Sequence, residues 1–210
     1  MIEIDEGQFV GKGATRYVYI HPDDPTKILK IYRPGHTPKM IQKRRWFRRL
    51  APTSRFAANR RDLVENTKFR DRHPFLRSNI CEVYGYTETS MGPAIIAERV
   101  LNEDGQTSHT LREHVKKGMP EDLTEPLKAL YKIFGDNHVL LRDEGAGNIL
   151  VRRKGSEFEL VVVDGLGDSN VIKYATWSKF MNRTKLERKL QRLLGRLEKM
   201  DKKRKNKAKP

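Results

Sequence analysis

Apolar and polar residues alternate with a period of two through much of the first hundred residues, which is the pattern of half-buried β-strands. The alternating runs are short and are separated by turn-forming sequences, such as HPDDPT at 21–26 and Met91-Gly92-Pro93. The strands predicted on this basis are residues 8–11, 16–20, 26–32, 80–87 and 94–100.

Helical signals interrupt these strands once and dominate the chain after Val100. Thr37-Pro38 has the form of a cap followed by a first-turn proline, and it predicts a basic helix that extends to about Leu50. A second helix is predicted to follow and to end at about Arg72, because a proline two residues later disfavours its continuation.

The second half of the chain has apolar residues at helical spacing. Residues 127–134 predict one amphipathic helix, and the leucines between 186 and 197 predict another, with Thr184-x-x-Glu187 as its capping box. Two short apolar strands, 149–151 and 160–163, lie between these helices.

These elements predict an α+β fold in two lobes, with a boundary near residues 100–105. The first lobe, residues 1–102, is β-rich and carries a basic helical insertion at about 38–61. The second lobe, residues 103–200, is shorter and helical. Residues 201–210, DKKRKNKAKP, offer almost nothing to bury, so we expect a disordered basic tail.

The composition agrees with a domain of this size and excludes several classes of protein. The chain has 210 residues, of which 37% are hydrophobic and 33% charged. No apolar run approaches the ~20 residues of a membrane-spanning helix, and the N-terminus lacks the pattern of a secretory signal. Cys81 is the single cysteine, which excludes an intrachain disulfide framework. We therefore expect a cytoplasmic protein.

The net charge of +16 is concentrated in two stretches. Residues 39–61 contain nine Lys and Arg and no acidic residue, and residues 183–210 contain thirteen Lys and Arg against three acidic residues. Such stretches attract polyanions, here RNA or acidic lipid headgroups, although a solvated surface without a partner explains them equally well. Few aromatic residues are interleaved with the charges, so stacking on bases is not indicated.

A candidate phosphate-binding hairpin lies near the N-terminus. Gly11 and Gly13 follow a predicted strand, and glycines in a strand–turn–strand hairpin let backbone N–H groups approach a triphosphate. Lys30 lies between apolar residues of the third strand, where a half-buried ammonium needs an anionic partner. An ordinary glycine hairpin and a solvated edge-strand lysine remain the alternatives.

A candidate metal and base site lies in the second lobe. Asp143 and Asn148 are five residues apart in LLRDEGAGNILV, and Asp164 ends the apolar run LVVVD. Such residues at strand ends supply oxygen ligands for Mg²⁺ and a candidate general base. Each of them also favours ordinary turns, so the argument depends on their order and spacing along the chain.

The order of these features along the chain resembles that of a protein kinase-like fold. The features are a glycine hairpin, a strand lysine, a helix glutamate, an R-D-x-x-x-x-N loop and a D-x-x-G segment. More narrowly, DSNVIKYATWSK at 168–179 resembles the YrbL family of small bacterial kinase-like proteins, which is associated by name with the PhoP regulatory network. The resemblance implies a bilobal fold with a β-rich N-lobe that carries a helix and a truncated helical C-lobe.

The resemblance also implies roles in binding ATP. Gly11, Gly13 and Val18 would lie over the nucleotide, with the two glycines covering its phosphates. Lys30 would contact phosphate oxygens and pair with Glu65, the only glutamate of the predicted second helix.

The resemblance implies further residues that bind adenine, hold the metal ion and act on the acceptor. Backbone groups of Glu98 and Val100 would receive adenine. Asn148 and Asp164 would hold Mg²⁺, and Asp143 would orient or deprotonate the acceptor hydroxyl. Phosphoryl transfer would then depend on positioning and charge neutralisation.

The sequence also departs from the kinase pattern. Gly145 stands two residues after Asp143, where protein kinases place a lysine that contacts phosphate, and Arg142 or Arg152 is a candidate substitute. Only 46 residues follow Asp164, which favours a non-peptide or anionic hydroxyl acceptor over general protein phosphorylation. Three functions therefore remain open: a phosphotransferase, a nucleotide-binding pseudokinase or regulatory adaptor, and a basic nucleic-acid-associated protein.

Overall fold

The chain forms two compact units in a computed structural model that describes residues 1–43, 57–119, 122–167 and 178–207. The first unit contains Met1–Lys68 and Glu82–Arg99, and the second contains Phe69–Cys81 and Val100–Pro210. The break after Arg99 lies close to the predicted boundary at 102. The segment Phe69–Cys81, however, was expected in the first lobe and belongs to the second unit.

The first unit is built on a five-stranded antiparallel sheet in the order β1-β2-β3-β5-β4. All five predicted strands are present, with ends shifted by up to three residues. Their bounds are Phe9–Lys12 (β1), Arg16–Ile20 (β2), Lys27–Tyr32 (β3), Val83–Thr89 (β4) and Gly92–Glu98 (β5).

Between β3 and β4, the described residues form two α-helices and a 3-10 helix, Pro74–Asn79. Helix α1, Pro38–Lys43, begins at the proline that the sequence indicated, whereas residues 44–56 of the basic insertion lie outside the described residues. Helix α2, Ala58–Arg72, ends at the predicted residue. Its last four residues, from Phe69 onward, belong to the second unit.

The two faces of the first sheet have different partners. Leu29 and Ile31 of β3 are buried on one face with Tyr19 and Ala94, and the N-terminal residues Ile2 and Ile4 pack against this cluster. Since side chains alternate along a strand, Lys30 points to the other face. There it shares the surface to which α2 is attached.

The second unit combines helices with a small sheet in the order β6-β7-β8. Its core is formed mainly by α4, α5 and the sheet, and Phe134 and Leu193 are completely buried in it. The element bounds are His109–Thr110 (β6), Leu111–Lys117 (α3), Thr124–Asp136 (α4), Ile149–Lys154 (β7), Glu157–Val162 (β8) and Lys179–Lys207 (α5).

Helix α5 corrects two predictions at the end of the chain. It begins at Lys179, so Thr184 and Glu187 lie inside the helix and do not form its capping box. It continues to Lys207, so the disordered tail predicted for 201–210 is wrong over 201–207. Asp201 ion-pairs with Arg204 and Lys205 at 2.7 Å each, and these one-turn contacts support a helix that earlier turns have already nucleated.

Among the helices of the described ranges, none has the combination of length and apolar composition that a membrane crossing requires. The predicted α+β class, with a β-rich first part that carries a helix and a helical second part, is confirmed.

Candidate active site

A cross-strand row in the first unit brings together three predicted nucleotide-binding residues. Gly11 of β1 pairs with Val18 of β2, and Val18 pairs with Lys30 of β3, which pairs with Ile95. Directly paired residues in antiparallel strands present their side chains on the same face. Val18 and Lys30 therefore lie side by side next to a glycine, with Lys30 only 6% exposed.

The glycines of the hairpin are not explained by packing. A Cβ at Gly11 would meet no atom within 4 Å, and a Cβ at Gly13 would lie in ordinary contact, 3.4 Å from the carbonyl oxygen of Arg16. Neither glycine has a positive φ. What glycine supplies at these positions is an uncovered backbone, which is the property that close approach of a ligand requires.

The turn of this hairpin is held by Arg33, which sequence reasoning did not single out. Its Nη1 donates to the carbonyl oxygens of Gly13 and Ala14, at 3.1 and 3.2 Å, and its backbone N–H donates to Thr15. The guanidinium also lies 5.7 Å from the centre of the Tyr17 ring. These contacts fix the turn relative to the end of β3.

Helix α2 is attached to the sheet through polar side chains. Arg16 of β2 donates to Asp62 at 2.6 Å and to Asn59 at 3.0 Å, and both members of the Arg16–Asp62 pair are buried. The N–H of Asn59 donates to the hydroxyl of Tyr32. Further along α2, Asn66 accepts from the N–H of Val83. The helix predicted to carry the glutamate is thereby held on the face that carries Lys30.

Glu65 lies in α2 as predicted. Its carboxylate forms an ion pair with Lys68, one turn later, at 3.3 Å. The side chain is partly exposed. Its pairing with Lys30 stays a prediction.

The residues predicted to receive adenine lie at the end of β5 and just after it. The N–H of Glu98 donates to Glu82 at 2.8 Å, and the Glu98 carboxylate accepts from the N–H of Glu82 at 3.1 Å. In the second unit, the carbonyl of the buried Val100 accepts from Ser108 at 2.9 Å. Each backbone group is fixed in its own unit, and the assignment to adenine stays a prediction.

The loop between α4 and β7 brings Asp143 and Asn148 into direct contact. One carboxylate oxygen of Asp143 accepts from the N–H of Gly145 and the other from Nδ2 of Asn148, each at 2.9 Å. The N–H of Asn148 in turn donates to Gly145, at 2.8 Å. An amide binds a hard cation through its oxygen, so Oδ1 is the atom with which Asn148 would bind a metal while its nitrogen donates to Asp143.

Asp164 follows β8 and lies beside this loop. The carbonyl of Gly165 accepts from the N–H groups of Arg142 and Asp143, at 2.6 and 3.4 Å. The Arg142 guanidinium lies 3.8 Å from the Asp164 carboxylate. The second unit therefore brings Asp143, Asn148 and Asp164 together, although Asp164 lies sixteen residues beyond Asn148 in the sequence.

Gly165 is required by this arrangement. Its φ is +90°, which L side chains rarely adopt, and a Cβ there would lie 2.9 Å from the carbonyl oxygen of Asp143. The glycine thus permits the segment after β8 to approach the Asp143 loop closely.

A buried ion pair connects the same loop to α5. Lys189 Nζ donates to Glu144 at 2.7 Å and to the carbonyl of Arg142 at 2.8 Å, and Arg196 adds a longer ion pair to Glu144 at 3.5 Å. Burial raises the pKa of Glu144, but the hydrogen bond from Lys189 and the two positive charges outweigh it, so the pKa lies below its ordinary value. Lys189 was not singled out in the sequence. Its position directly before Leu190, at the edge of the predicted buried face, indicated a lysine that would need an anionic partner.

Gly145 is packed against the two residues that it separates. A Cβ there would lie 3.3 Å from the Asp143 carboxylate and 3.4 Å from Nδ2 of Asn148, so a larger residue would press on both. Of the two arginines suggested as substitutes for the missing lysine, Arg142 lies near Asp164, whereas Arg152 pairs with Glu159 at 3.2 Å.

A third arginine, Arg112, is adjacent to the loop and was not predicted. Its N–H donates to Ala146 at 2.9 Å, and a Cβ at Gly147 would lie 3.4 Å from Nη2 of its guanidinium. The residue is exposed and has no carboxylate partner among the described residues. It places a positive charge beside the loop that carries Asp143 and Asn148.

The predicted metal site pairs one carboxylate with one amide. Within the described ranges, no group of three or more His, Cys, Asp or Glu side chains could hold a metal ion. Asn148 and Asp164 fit a different kind of site, since Mg²⁺ is commonly bound by one or two protein oxygens together with substrate phosphates and water.

Comparison with known proteins gives a family match over nearly the whole chain. The model of the family described as PhoP regulatory network protein YrbL matches residues 2–198. The chain is 30% identical over 202 residues to "Uncharacterized protein YrbL" of Escherichia coli (strain K12), covering 93% of this chain and 87% of that protein. The protein of the same name in Shigella flexneri matches equally, with 30% identity and the same coverage.

Two solved kinase structures are also similar to the chain. The kinase domain of Mycobacterium tuberculosis PknI has 16% sequence identity and a TM-score of 0.43, over 75% of this chain and 56% of that chain. The Chaetomium thermophilum Rio2 kinase, in an ADP/Mg²⁺-phosphoaspartate complex, has 15% identity and a TM-score of 0.47, over 91% of this chain and 59% of that chain. The chain thus spans little more than half of either structure.

Proposed function

The chain belongs to the YrbL family and has a protein kinase-like α+β fold, and we propose that it catalyses ATP- and Mg²⁺-dependent phosphoryl transfer to a hydroxyl group. The observation that carries this proposal is the juxtaposition of Asp143, Asn148 and Asp164 in the second unit. A candidate base in direct contact with one metal-binding oxygen donor, with a second such donor on the adjacent segment, is what such a reaction needs.

In this proposal, the second unit supplies the groups at the reacting atoms. Asp143 orients the acceptor hydroxyl and accepts its proton, while the hydrogen bonds from Gly145 and Asn148 hold the carboxylate in place. Asn148 and Asp164 would hold Mg²⁺, which when bound neutralises charge on the phosphates.

The first unit supplies the groups for the rest of the nucleotide. The uncovered backbone at Gly11 and Gly13 accommodates the phosphates, and the ammonium of Lys30 neutralises phosphate oxygens in its largely desolvated position. Glu65 orients Lys30, and the backbone at Glu98 and Val100 receives adenine.

The acceptor is an unidentified hydroxyl compound, and the cluster favours one that carries negative charge. Arg112 places an exposed guanidinium against the loop of Asp143, where the kinase-pattern lysine is replaced by Gly145. A guanidinium at this position attracts an anionic acceptor and also compensates part of the missing charge.

A second candidate function is that of a nucleotide-binding pseudokinase or regulatory adaptor. Gly145 favours it, because the absence of a lysine at this position removes a charge that stabilises the transition state. Such a protein would bind Mg-ATP and dock a partner without turnover.

Binding and turnover of ATP separate the two functions. We expect Mg-ATP to raise the melting temperature of the wild-type protein, and phosphate release to show turnover with water as the acceptor. Asp143→Asn should retain the thermal shift and lose turnover by a factor of about 10² or more, because it removes the base. Glu198→Gln, which neutralises an exposed carboxylate on α5, is the matched control and should retain both.

The possible results have distinct meanings. A thermal shift without turnover in the wild type would support the adaptor. Turnover that survives in Asp143→Asn would contradict the role of Asp143. The absence of any effect of Mg-ATP would overturn both candidate functions.

A further inference from the structure

Helix α5 has a buried face and an oppositely placed basic face. Leu186, Leu190 and Leu193 are buried in the core of the second unit. At about 100° per residue, five exposed cations fall within an arc of about 100° on the other side of the helix. These five residues, here called the basic stripe, are Arg188, Arg192, Lys199, Lys202 and Lys203.

The basic stripe lies apart from the acidic residues of its own helix. None of the five residues forms an ion pair with a carboxylate among the residues that the structure describes. The acidic residues of α5 lie to one side of the stripe, and Asp201 is paired with Arg204 and Lys205, which also lie outside it. Charges of one sign are therefore segregated onto one face of the helix.

The basic stripe extends along most of α5. With a rise of about 1.5 Å per residue, the distance from Arg188 to Lys203 along the helix is about 22 Å. Gly195 lies between Arg192 and Lys199, and a Cβ there would meet nothing within 4 Å among the described residues. At this point of the stripe, no side chain of α5 separates the helix backbone from a partner.

The apolar and aromatic residues of α5 indicate which kind of polyanion the basic stripe fits. The apolar face of α5 is buried against the second unit, so it is not available for insertion into a membrane. Phe180 and Met181, the most exposed apolar residues of α5, lie before the stripe rather than among its cations. The stripe contains no aromatic side chain on which unpaired bases could stack.

We infer that the basic stripe binds the phosphate backbone of duplex nucleic acid without reading its sequence. A duplex presents one charge per ~1.7 Å along its axis, so its phosphates match a row of lysines and arginines of this length. This inference is independent of the proposed phosphotransferase activity, because none of its residues belongs to the candidate active site.

The test compares two double variants of the full-length chain that remove the same charge from the same helix. Lys199→Gln/Lys203→Gln neutralises two residues of the basic stripe, and Lys179→Gln/Lys207→Gln neutralises two exposed lysines of α5 outside it. Binding to a fluorescent DNA duplex of about 20 base pairs is measured by anisotropy over a salt series. Circular dichroism checks that both variants are folded.

We expect the wild type and the outer control to bind with the same salt dependence. In the stripe variant, the slope of log K against log salt should fall in magnitude by about 2, since each lost phosphate contact removes about 0.9. An RNA duplex should behave as the DNA duplex does.

Three results would overturn the inference. The first is equal weakening by both variants, which would indicate a general charge effect. The second is tighter binding to a single strand of the same length, or to phosphatidylserine-containing vesicles, than to the duplex. The third is no binding of the wild type to the duplex at low salt.

Discussion

Glycine serves different purposes in the two units, and Gly11 and Gly165 show the contrast. Gly165 is required by the fold, because its φ is +90° and a Cβ would lie 2.9 Å from the carbonyl oxygen of Asp143. Gly11 is required by neither backbone conformation nor packing, since a Cβ there would meet nothing within 4 Å. A glycine that the fold does not need is the better indication of a ligand.

The same contrast holds for the way in which each set of candidate residues is positioned. In the first unit, strand register places Gly11, Val18 and Lys30 in one row through backbone hydrogen bonds. In the second unit, a hydrogen bond from Asn148 holds the Asp143 carboxylate, and the buried Lys189–Glu144 ion pair connects the Asp143 loop to α5. Substitutions of these residues in the first unit should therefore weaken nucleotide binding with little change in the free energy of unfolding. Substitutions in the second unit should reduce both activity and the free energy of unfolding.

The largest effect is expected from Lys189→Met. It removes one partner of a buried ion pair, so that among the described residues Arg196, at 3.5 Å, is the cation that still pairs with Glu144. Breaking a buried pair from one side costs about 3–5 kcal/mol in the free energy of unfolding. Urea denaturation measures this loss, with Lys199→Met on the exposed face of α5 as the control.

The control should change the free energy of unfolding by less than about 0.5 kcal/mol. If Lys189→Met changed the free energy of unfolding as little as the control, the buried ion pair would not hold the Asp143 loop. The two units would then not differ in how their candidate residues are held.

A smaller loss of stability is expected from Gly165→Ala. The substitution places a Cβ against the backbone of Asp143 and forces alanine into a left-handed conformation. Conformational strain of this kind costs about 1–3 kcal/mol. Urea denaturation should show the loss, and phosphate release should fall with it because Asp143 is displaced. Unchanged stability would mean that the segment after β8 adapts freely.

The smallest change in stability is expected from Gly11→Ala. An open position with an ordinary φ should tolerate a methyl group within about 0.5 kcal/mol of the wild-type free energy of unfolding. The thermal shift caused by Mg-ATP should nevertheless decrease, because the methyl group stands where the phosphates approach. A full thermal shift in this variant would show that the hairpin glycine has no role in binding.

Much of the first unit, and the candidate site residues of the second, could be predicted from local pattern. Residues 16–20 were predicted as a strand and form β2 with the same ends, and Lys30 lies in β3 as expected. Asp143, Asn148 and Asp164 were recognised from their spacing, and the structure brings them together. These predictions used period-two alternation and turn-forming residues in short segments. The conformational preferences behind both signals depend on residues that are close together in the chain.

Predictions failed where a distant contact decided the outcome. Arg16 was predicted only as the first residue of the strand 16–20, yet it ion-pairs with Asp62 and attaches α2 to the sheet. Residues 201–207 offered little to bury, and they are helical because they continue a helix that the core of the second unit holds. Arg112 had no distinguishing sequence context, since only folding brings it against Gly147.

The sequence by itself determined the strands, most of the helices and the chemical types available for a site, because these follow from side-chain periodicity and from residues that favour turns. The tertiary structure decided which side chains meet: Lys189 with Glu144, Arg16 with Asp62 and Asp164 with the Asp143 loop. The physical reason is that burial and ion pairing join residues that are remote in the chain, and local preferences contain no information about such partners.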